Sequence, residues 1–283
     1  MKLITAVKEM REYSRGVKRE GKQVGFVPTM GYLHEGHLSL IRTAREECDA
    51  VVVSIFVNPT QFGTGEDIER YPRDLERDKE LAEKAGVDRL FTPSAEEIYP
   101  RGYITSVKVK GSLTDTMCAR SRPGHFEGVA TVVAKLFNIV EPDRSYFGQK
   151  DAQQAVVVKR MVKDLDLPVE IRVMPIVREE DGLAMSSRNT YLNPDEREQA
   201  LGLFRSLNTA EKMVSDGELS AGRIKEEMTK VLKKGGYVKI DYIEIRDADS
   251  LEPLERVRDN TLIAVAAFVG ETRLIDNIII NKN

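Results

Sequence analysis

Cysteine is scarce in this chain: two occur in 283 residues, Cys48 and Cys118. Two thiols far apart in sequence make neither a disulfide framework nor a zinc-ligand spacing, and they suit a reducing compartment. A basic excess is also missing. Lys and Arg number 43 against 46 Asp and Glu, giving a formal net charge of −3, and no basic stripe is evident. That balance argues against a nucleic-acid binder. No apolar run approaches the roughly 18 residues that a membrane span needs. In MKLITAVKEMREYSRG the apolar stretch is broken by Lys8, Glu9, Arg11 and Glu12, so no signal peptide is expected and the cytoplasm is the expected location. Internal repeats and low-complexity segments are absent as well. What is present is 41% apolar and 31% charged residues, enough for a buried core under a solvated surface, in one large domain or two.

The hydrophobic pattern changes character along the chain. Ile4, Val7, Met10 and Val17 fall near helical spacing, which predicts an amphipathic helix over 4–19. QVGFVP at 23–28 reads as a strand, followed by a turn-rich TMGYLHEG and a helix from Gly36 through Ile41 and Ala44. AVVVSIFV at 50–57 is a continuous β-branched run, as expected of a strand buried on both faces of a parallel sheet. A helix over 73–85, a strand at 89–93, a long loop-rich stretch to about Gly124, a helix over 127–140, a strand at 144–147, a helix over 151–164 and a strand at 169–175 follow. This alternation predicts a Rossmann-like parallel sheet covered by helices over residues 1–176. Beyond it, helices at 195–215 and 220–234 precede three strand-like segments, KIDYIEIRD, TLIAVAAFV and TRLIDNIII. That order predicts a smaller α+β domain over 177–283, with NPDE at 193–196 supplying an N-cap and a first-turn proline.

Chemistry concentrates at strand-to-helix junctions, where open α/β sheets bind ligands. PTMGYLHEGH, 28–37, holds two of the three histidines, His34 and His37. Set three apart at a helix start, they can share one face beside amides that attract phosphate. Gly36 permits close backbone approach. The HEGH string lacks the zinc-protease H-E-x-x-H spacing. GVKREGKQ, 16–23, resembles a P-loop only loosely, since Gln23 replaces the hydroxyl residue and the segment precedes its strand. The plain alternative for the two histidines is a cap and a surface residue. DGLAMSSRN, 181–189, offers Ser hydroxyls, Arg188 and Asn189 as phosphate ligands, or is simply a polar loop. In FGQKDAQQ, 147–154, Lys150 suits a phosphate and Asp151 a helix cap. SIFVNPTQF, 54–62, ends a strand in Asn58, Pro59 and Gln61, and SRPGHFEGV, 121–129, carries Arg122 and His125 in a glycine-containing loop.

An HxGH turn with a Ser-Ser-Arg loop is similar to the two-part signature of the nucleotidylyltransferase superfamily. In sequence order, PTMGYLHEGH, FVNPTQF, YPRD, RPGHFEGV, FGQKDAQQ and DGLAMSSRN resemble the pantoate–β-alanine ligase family, and the resemblance extends over nearly the whole length. It implies an AMP-forming ligation of pantoate and β-alanine through a pantoyl-adenylate. By position it implies ATP contacts at Met30, Gly31, Tyr32, Leu33, His34, Glu35, Gly36 and His37. The same holds for Gly148, Gln149, Lys150, Asp151, Val177, Met185, Ser186, Ser187 and Arg188. The resemblance further implies that His37 takes the acid or electrostatic role, with His34, Lys150 and Arg188 on phosphates. It also implies that Gln61 and Gln154 contact pantoate, Gln61 also towards β-alanine. Gln149 stands where the family more often has Glu. Magnesium is expected to bridge ATP phosphates. Asp74 and Asp78, i and i+4 on the expected 73–85 helix, are candidates for its water shell, unless DLERDKE is simply a solvated face. A homodimer is implied. Other possibilities are a transferase that keeps the nucleotide on its product and an idle nucleotide-binding regulator.

Overall fold

The structure of the chain, a computed structural model, describes residues 1–234 and 238–281. In chain order the elements are β1 Lys2–Ile4, α1 Val7–Arg19, β2 Val24–Thr29, α2 Glu35–Glu47, β3 Ala50–Ile55, α3 Leu75–Lys84, β4 Arg89–Phe91, α4 Ala95–Ile98, α5 Cys118–Ser121, α6 His125–Val140, β5 Arg144–Gly148, α7 Ala152–Asp164, β6 Glu170–Met174, α8 Pro194–Ser215, α9 Ala221–Lys233, β7 Val238–Asp247, β8 Thr261–Val269 and β9 Thr272–Ile280. They divide into two compact units, neither of them one continuous stretch of sequence. The first takes Met1–Val109, Arg122–Gly148 and Val157–Pro175; the second takes Lys110–Ser121, Gln149–Val156 and Ile176–Asn283.

The first unit is built on a six-stranded sheet of order β1-β4-β3-β2-β5-β6. Every neighbouring pair in it is parallel. β2 and β3 lie at its centre, Val24 opposite Ala50 and Thr29 opposite Ile55. Their unbroken apolar runs are explained by burial on both faces. Phe26 and Val52 join a cluster with Val133 and Phe137 of α6. Val27 and Val53, one residue on, join a separate cluster with Ile41 of α2 and Ala82 of α3. β2 is flanked by β3 on one side and β5 on the other, so the strand order reverses at β2. A topological switch of this kind opens a crevice at the strands' carboxyl ends, and β2 ends at Thr29.

At the chain start the structure departs from the expected helix over 4–19. Residues Lys2–Ile4 form β1, pairing Lys2 with Arg89 and Ile4 with Phe91, and the helix begins only at Val7. A three-residue strand is too short to show a period of two, and Ile4 falls in phase with the helix that follows. The stretch expected to be loop up to Gly124 contains the short helices α4 and α5, each a single turn of four residues.

The second unit packs α8 and α9 on an antiparallel sheet of order β7-β8-β9. Ile245, Ile263, Val265 and Ala267 of the sheet meet Leu203, Leu207, Ile224 and Met228 of the helices. α8 starts as its sequence requires. Asn193 Oδ1 accepts the Glu196 backbone N–H at 2.9 Å, Glu196 Oε2 accepts that of Asn193 at 3.0 Å, and Pro194 occupies the first turn. No helix among the described residues is long and apolar enough to cross a membrane.

Candidate active site

In the first unit the chain leaves β2 through a tight turn. Thr29 Oγ1 donates to Ser54 O at 2.7 Å and accepts the Gly31 N–H at 3.1 Å. Gly31 has φ +83°, and a Cβ there would sit 2.8 Å from Ile55 Cγ2, so both conformation and space demand glycine. Tyr32 follows at φ +52°, a left-handed conformation that a side chain adopts only when held there. The holder is Asp78 of α3. Its Oδ2 accepts the Tyr32 N–H and its Oδ1 the Leu33 N–H, both at 2.7 Å. Asp78 is 1% exposed. Burial pushes its carboxyl above the ordinary range, opposed by those two backbone hydrogen bonds. Asp74 and Asp78, the candidates for a magnesium water shell, both have main-chain partners here. Both oxygens of Asp78 serve the turn, and Asp74 caps α3 by accepting the Arg77 N–H at 3.1 Å.

His34 is the N-cap of α2 and His37 the third residue inside it. Their rings lie with centroids 4.0 Å apart, tilted by 34° to one another, and His37 Nδ1 accepts the His34 backbone N–H at 3.3 Å. A neutral His37 in that bond carries its proton on Nε2, the tautomer able to donate outward. The two imidazoles are therefore brought together at the positive end of the helix dipole.

Gln61 belongs to the same unit and is buried at the end of a single 3-10 turn, Pro59–Gln61, that follows β3. Its side chain is oriented from two sides: Nε2 donates to Met30 Sδ at 3.0 Å and Oε1 accepts from Asn58 Nδ2 at 3.2 Å. Asn58, also buried, donates to Gly128 O at 3.2 Å and accepts from the Tyr99 hydroxyl at 2.8 Å. The carbonyl of Gln61 is held by His125, whose Nδ1 donates to it at 2.9 Å. His125 Nε2 in turn accepts from Arg122 Nη1 at 3.0 Å, and Arg122 grips Glu66 through Nε at 2.9 Å and Nη2 at 2.5 Å. Arg122 and His125, expected in a glycine-containing loop, are thus the support of the Gln61 backbone. α6 comes so near this turn that a Cβ on Gly128 would lie 2.3 Å from Thr60 O.

In the second unit Gln149, Lys150 and Asp151 form a 3-10 turn whose fixed point is Asn277 of β9. Asn277 Nδ2 donates to the carbonyls of Gln149 and Lys150, both at 3.0 Å, and Oδ1 accepts from Gln149 Nε2 at 3.2 Å. Lys150 Nζ lies 3.9 Å from Asp151 Oδ2. Gln154 is half-buried on α7; its neighbour Gln153 is buried and holds residues 113–118 by donating to the carbonyls of Leu113 and Thr116 and accepting the Cys118 N–H.

The Ser-Ser-Arg segment leaves a hairpin in which Met185 N donates to Val177 O at 3.0 Å and Arg178 bridges Ala184. Ser186 caps the 3-10 helix Ser187–Tyr191 by accepting the Arg188 N–H at 3.3 Å. Gly182, at φ +95°, lies so near Phe204 that a Cβ would fall 2.1 Å from its ring. Asn189 donates to Glu179 at 2.7 Å, and Arg197 pairs with Glu179 and Asp181. Asp276, next to Asn277, takes Arg178 in a two-pronged pair at 2.6 and 3.1 Å. Sequence reasoning missed Asp276 and Asn277; the available signal was a polar pair interrupting the apolar strand TRLIDNIII.

A central parallel strand that ends in a glycine turn and a histidine-bearing helix start defines an α/β protein of the Rossmann-like class. Within that class, the chain belongs to the pantoate-beta-alanine ligase family, whose model matches residues 2–279. It is 59% identical over 280 residues to a pantothenate synthetase of Caldicellulosiruptor saccharolyticus, covering 99% of each chain. Its fold matches the crystal structure of pantothenate synthetase from Thermus thermophilus with a TM-score of 0.95, at 48% identity over 100% of both chains. It also matches pantoate-beta-alanine ligase from Francisella tularensis, solved in complex with beta-gamma ATP and beta-alanine, with a TM-score of 0.80, at 34% identity over 99% of this chain and 97% of that one.

Proposed function

We propose that this chain joins pantoate to β-alanine in two steps at the expense of ATP. The observation that carries the mechanism is the turn after β2, where two adjoining imidazoles sit at the N-terminus of α2. In the first step a pantoate carboxylate oxygen attacks the α-phosphorus of ATP, and pyrophosphate leaves. In the second the amine of β-alanine attacks the acyl carbon, loses a proton, and AMP leaves with the former carboxylate oxygen. Positioning and charge stabilisation account for most of such a rate enhancement. His37 Nε2–H donates to phosphate oxygen as negative charge develops, with His34 on the same phosphates. Residues Met30–His37, Gly148–Asp151, Val177 and Met185–Arg188 hold ATP, with Lys150 and Arg188 as the phosphate cations. Gln61 and Gln154 hold pantoate, and Gln61 also meets β-alanine. Residues 1–176 thus serve nucleotide and pantoate, and residues 177–283 carry the Ser-Ser-Arg phosphate segment.

Among the described residues no group of three or more His, Cys, Asp and Glu side chains is arranged to hold a metal. Magnesium is proposed as the counter-ion of the ATP phosphates, and no step above is routed through it. We further propose a cytoplasmic homodimer; sedimentation at micromolar concentration giving only monomer would reject that assembly.

The decisive test labels the carboxylate of pantoate with oxygen-18. One labelled oxygen should appear in AMP per turnover and none in pyrophosphate. Release of ADP, with label in orthophosphate, would replace the adenylate by an acyl phosphate.

A further inference from the structure

Asp276 and Asn277 are successive residues of β9, each 3% exposed, set between the apolar residues Leu274–Ile275 and Ile278–Ile280. Successive strand residues send their side chains to opposite faces. Asp276 takes the guanidinium of Arg178, which lies over the Phe204 ring at 4.5 Å and also donates to Gly182 O at 3.1 Å. This fixes the hairpin that leads into Ser186–Arg188. Asn277 takes the 149–150 backbone. An Asn amide has two hydrogens on Nδ2 and one oxygen. Here both hydrogens meet main-chain carbonyls, and the oxygen accepts from Gln149. Aspartate, the isosteric alternative, would turn a carboxylate oxygen towards those two carbonyls.

We propose that Asn277 is a positioning residue for ATP use: its amide fixes the Gln149–Lys150 main chain and thereby sets Lys150 for the phosphates. Asp276 does the corresponding work for the hairpin, so one dipeptide of β9 orders two segments far apart in sequence. The proposal rests on the assignment of Lys150 as a phosphate ligand, and the two can be tested apart. The carbonyls that Asn277 holds belong to half-buried residues, so water can replace the amide and the fold tolerates its removal.

The experiment is steady-state pyrophosphate release by the full chain, for the wild type, Asn277→Ala, Asn277→Asp, Lys150→Ala and the double variant Lys150→Ala/Asn277→Ala, with thermal melting of each. Loss of its three side-chain hydrogen bonds, two of them to the 149–150 main chain, predicts that Asn277→Ala raises the KM for ATP by about tenfold. The KM for pantoate and the melting temperature should stay near wild type, and Asn277→Asp should be worse than Asn277→Ala. Because Asn277 acts through Lys150, the double variant should match Lys150→Ala. An impaired Lys150→Ala with a silent Asn277→Ala, with equal shifts in both KM values, or with a double variant showing additive losses would overturn the positioning role. A Lys150→Ala protein with normal ATP use would instead overturn the assignment of Lys150, and the route from Asn277 with it.

Discussion

Two short segments, one in each unit, are held in place by a single buried side chain. After β2, residues 32–33 hang from Asp78, which accepts two main-chain N–H groups. After β5, residues 149–150 hang from Asn277, which donates to two main-chain carbonyls. The polarity of the exposed backbone decides the clamp. Tyr32 and Leu33 present N–H groups and are closed by a carboxylate, whereas Gln149 and Lys150 present C=O groups and need a donor with two hydrogens. The first clamp carries a titratable charge and the second carries none, so only the first should respond to pH.

Chemistry can be removed from the first segment with its clamp left intact. His37→Ala should slow adenylate formation by about 100- to 1000-fold, the loss typical of one preorganised donor, while melting stays near wild type. Near-normal turnover by a folded variant would remove His37 from the mechanism. Asp78→Asn then breaks the clamp and leaves the histidines. One oxygen becomes an NH2 group facing an N–H, so a charge-assisted bond of about 2 kcal/mol is lost and ATP use should fall roughly 30-fold. A variant with unchanged kinetics would mean that the turn holds itself.

The pH response follows from the direction of the Asp78 shift. Burial raises its folded-state value above the unfolded one, against the pull of the Leu33 and Tyr32 N–H groups. Its proton-linked stability is therefore full below the ordinary carboxylate range and declines as pH rises through the raised value. The charged form that grips both N–H groups is lost as pH falls through the same value. Wild-type activity should show an acid limb there that Asp78→Asn lacks, and the stability advantage of wild type in urea melts should shrink with rising pH. Asn277→Ala should leave the limb where it is. An unchanged limb in Asp78→Asn would assign it to another group.

Smaller effects refine the picture. Gly128→Ala would press a methyl onto Thr60 O and Gln61 N. It should displace the turn that carries Gln61 and raise the KM for pantoate about tenfold, with ATP affinity by calorimetry unchanged. Gln149→Glu places an acceptor opposite Asn277 Oδ1. The side chain can swing away, so the KM for ATP should rise only about twofold, and a tenfold rise would mean that the amide of Gln149 does more than close the network.

Local sequence was enough to read the layers and to single out the polar segments at the strand ends. Unbroken apolar runs such as AVVVSI identify strands covered on both faces, and NPDE marks the start of α8, because period and capping are local properties. The histidine turn was legible for the same reason: its residues meet within one turn of helix. β1 was not, since three residues carry no period. The roles of Asp78, His125 and Asn277 were not legible either. Asp78 lies 45 residues from its Leu33 partner, His125 lies 64 from Gln61, and Asn277 lies 127 from Lys150. In sequence each is an ordinary polar residue on a helix, loop or strand. Only the packing of the chain turned these three inward and gave them main-chain groups to hold, because a buried backbone N–H or C=O must find a partner and takes whichever side chain the fold brings to it.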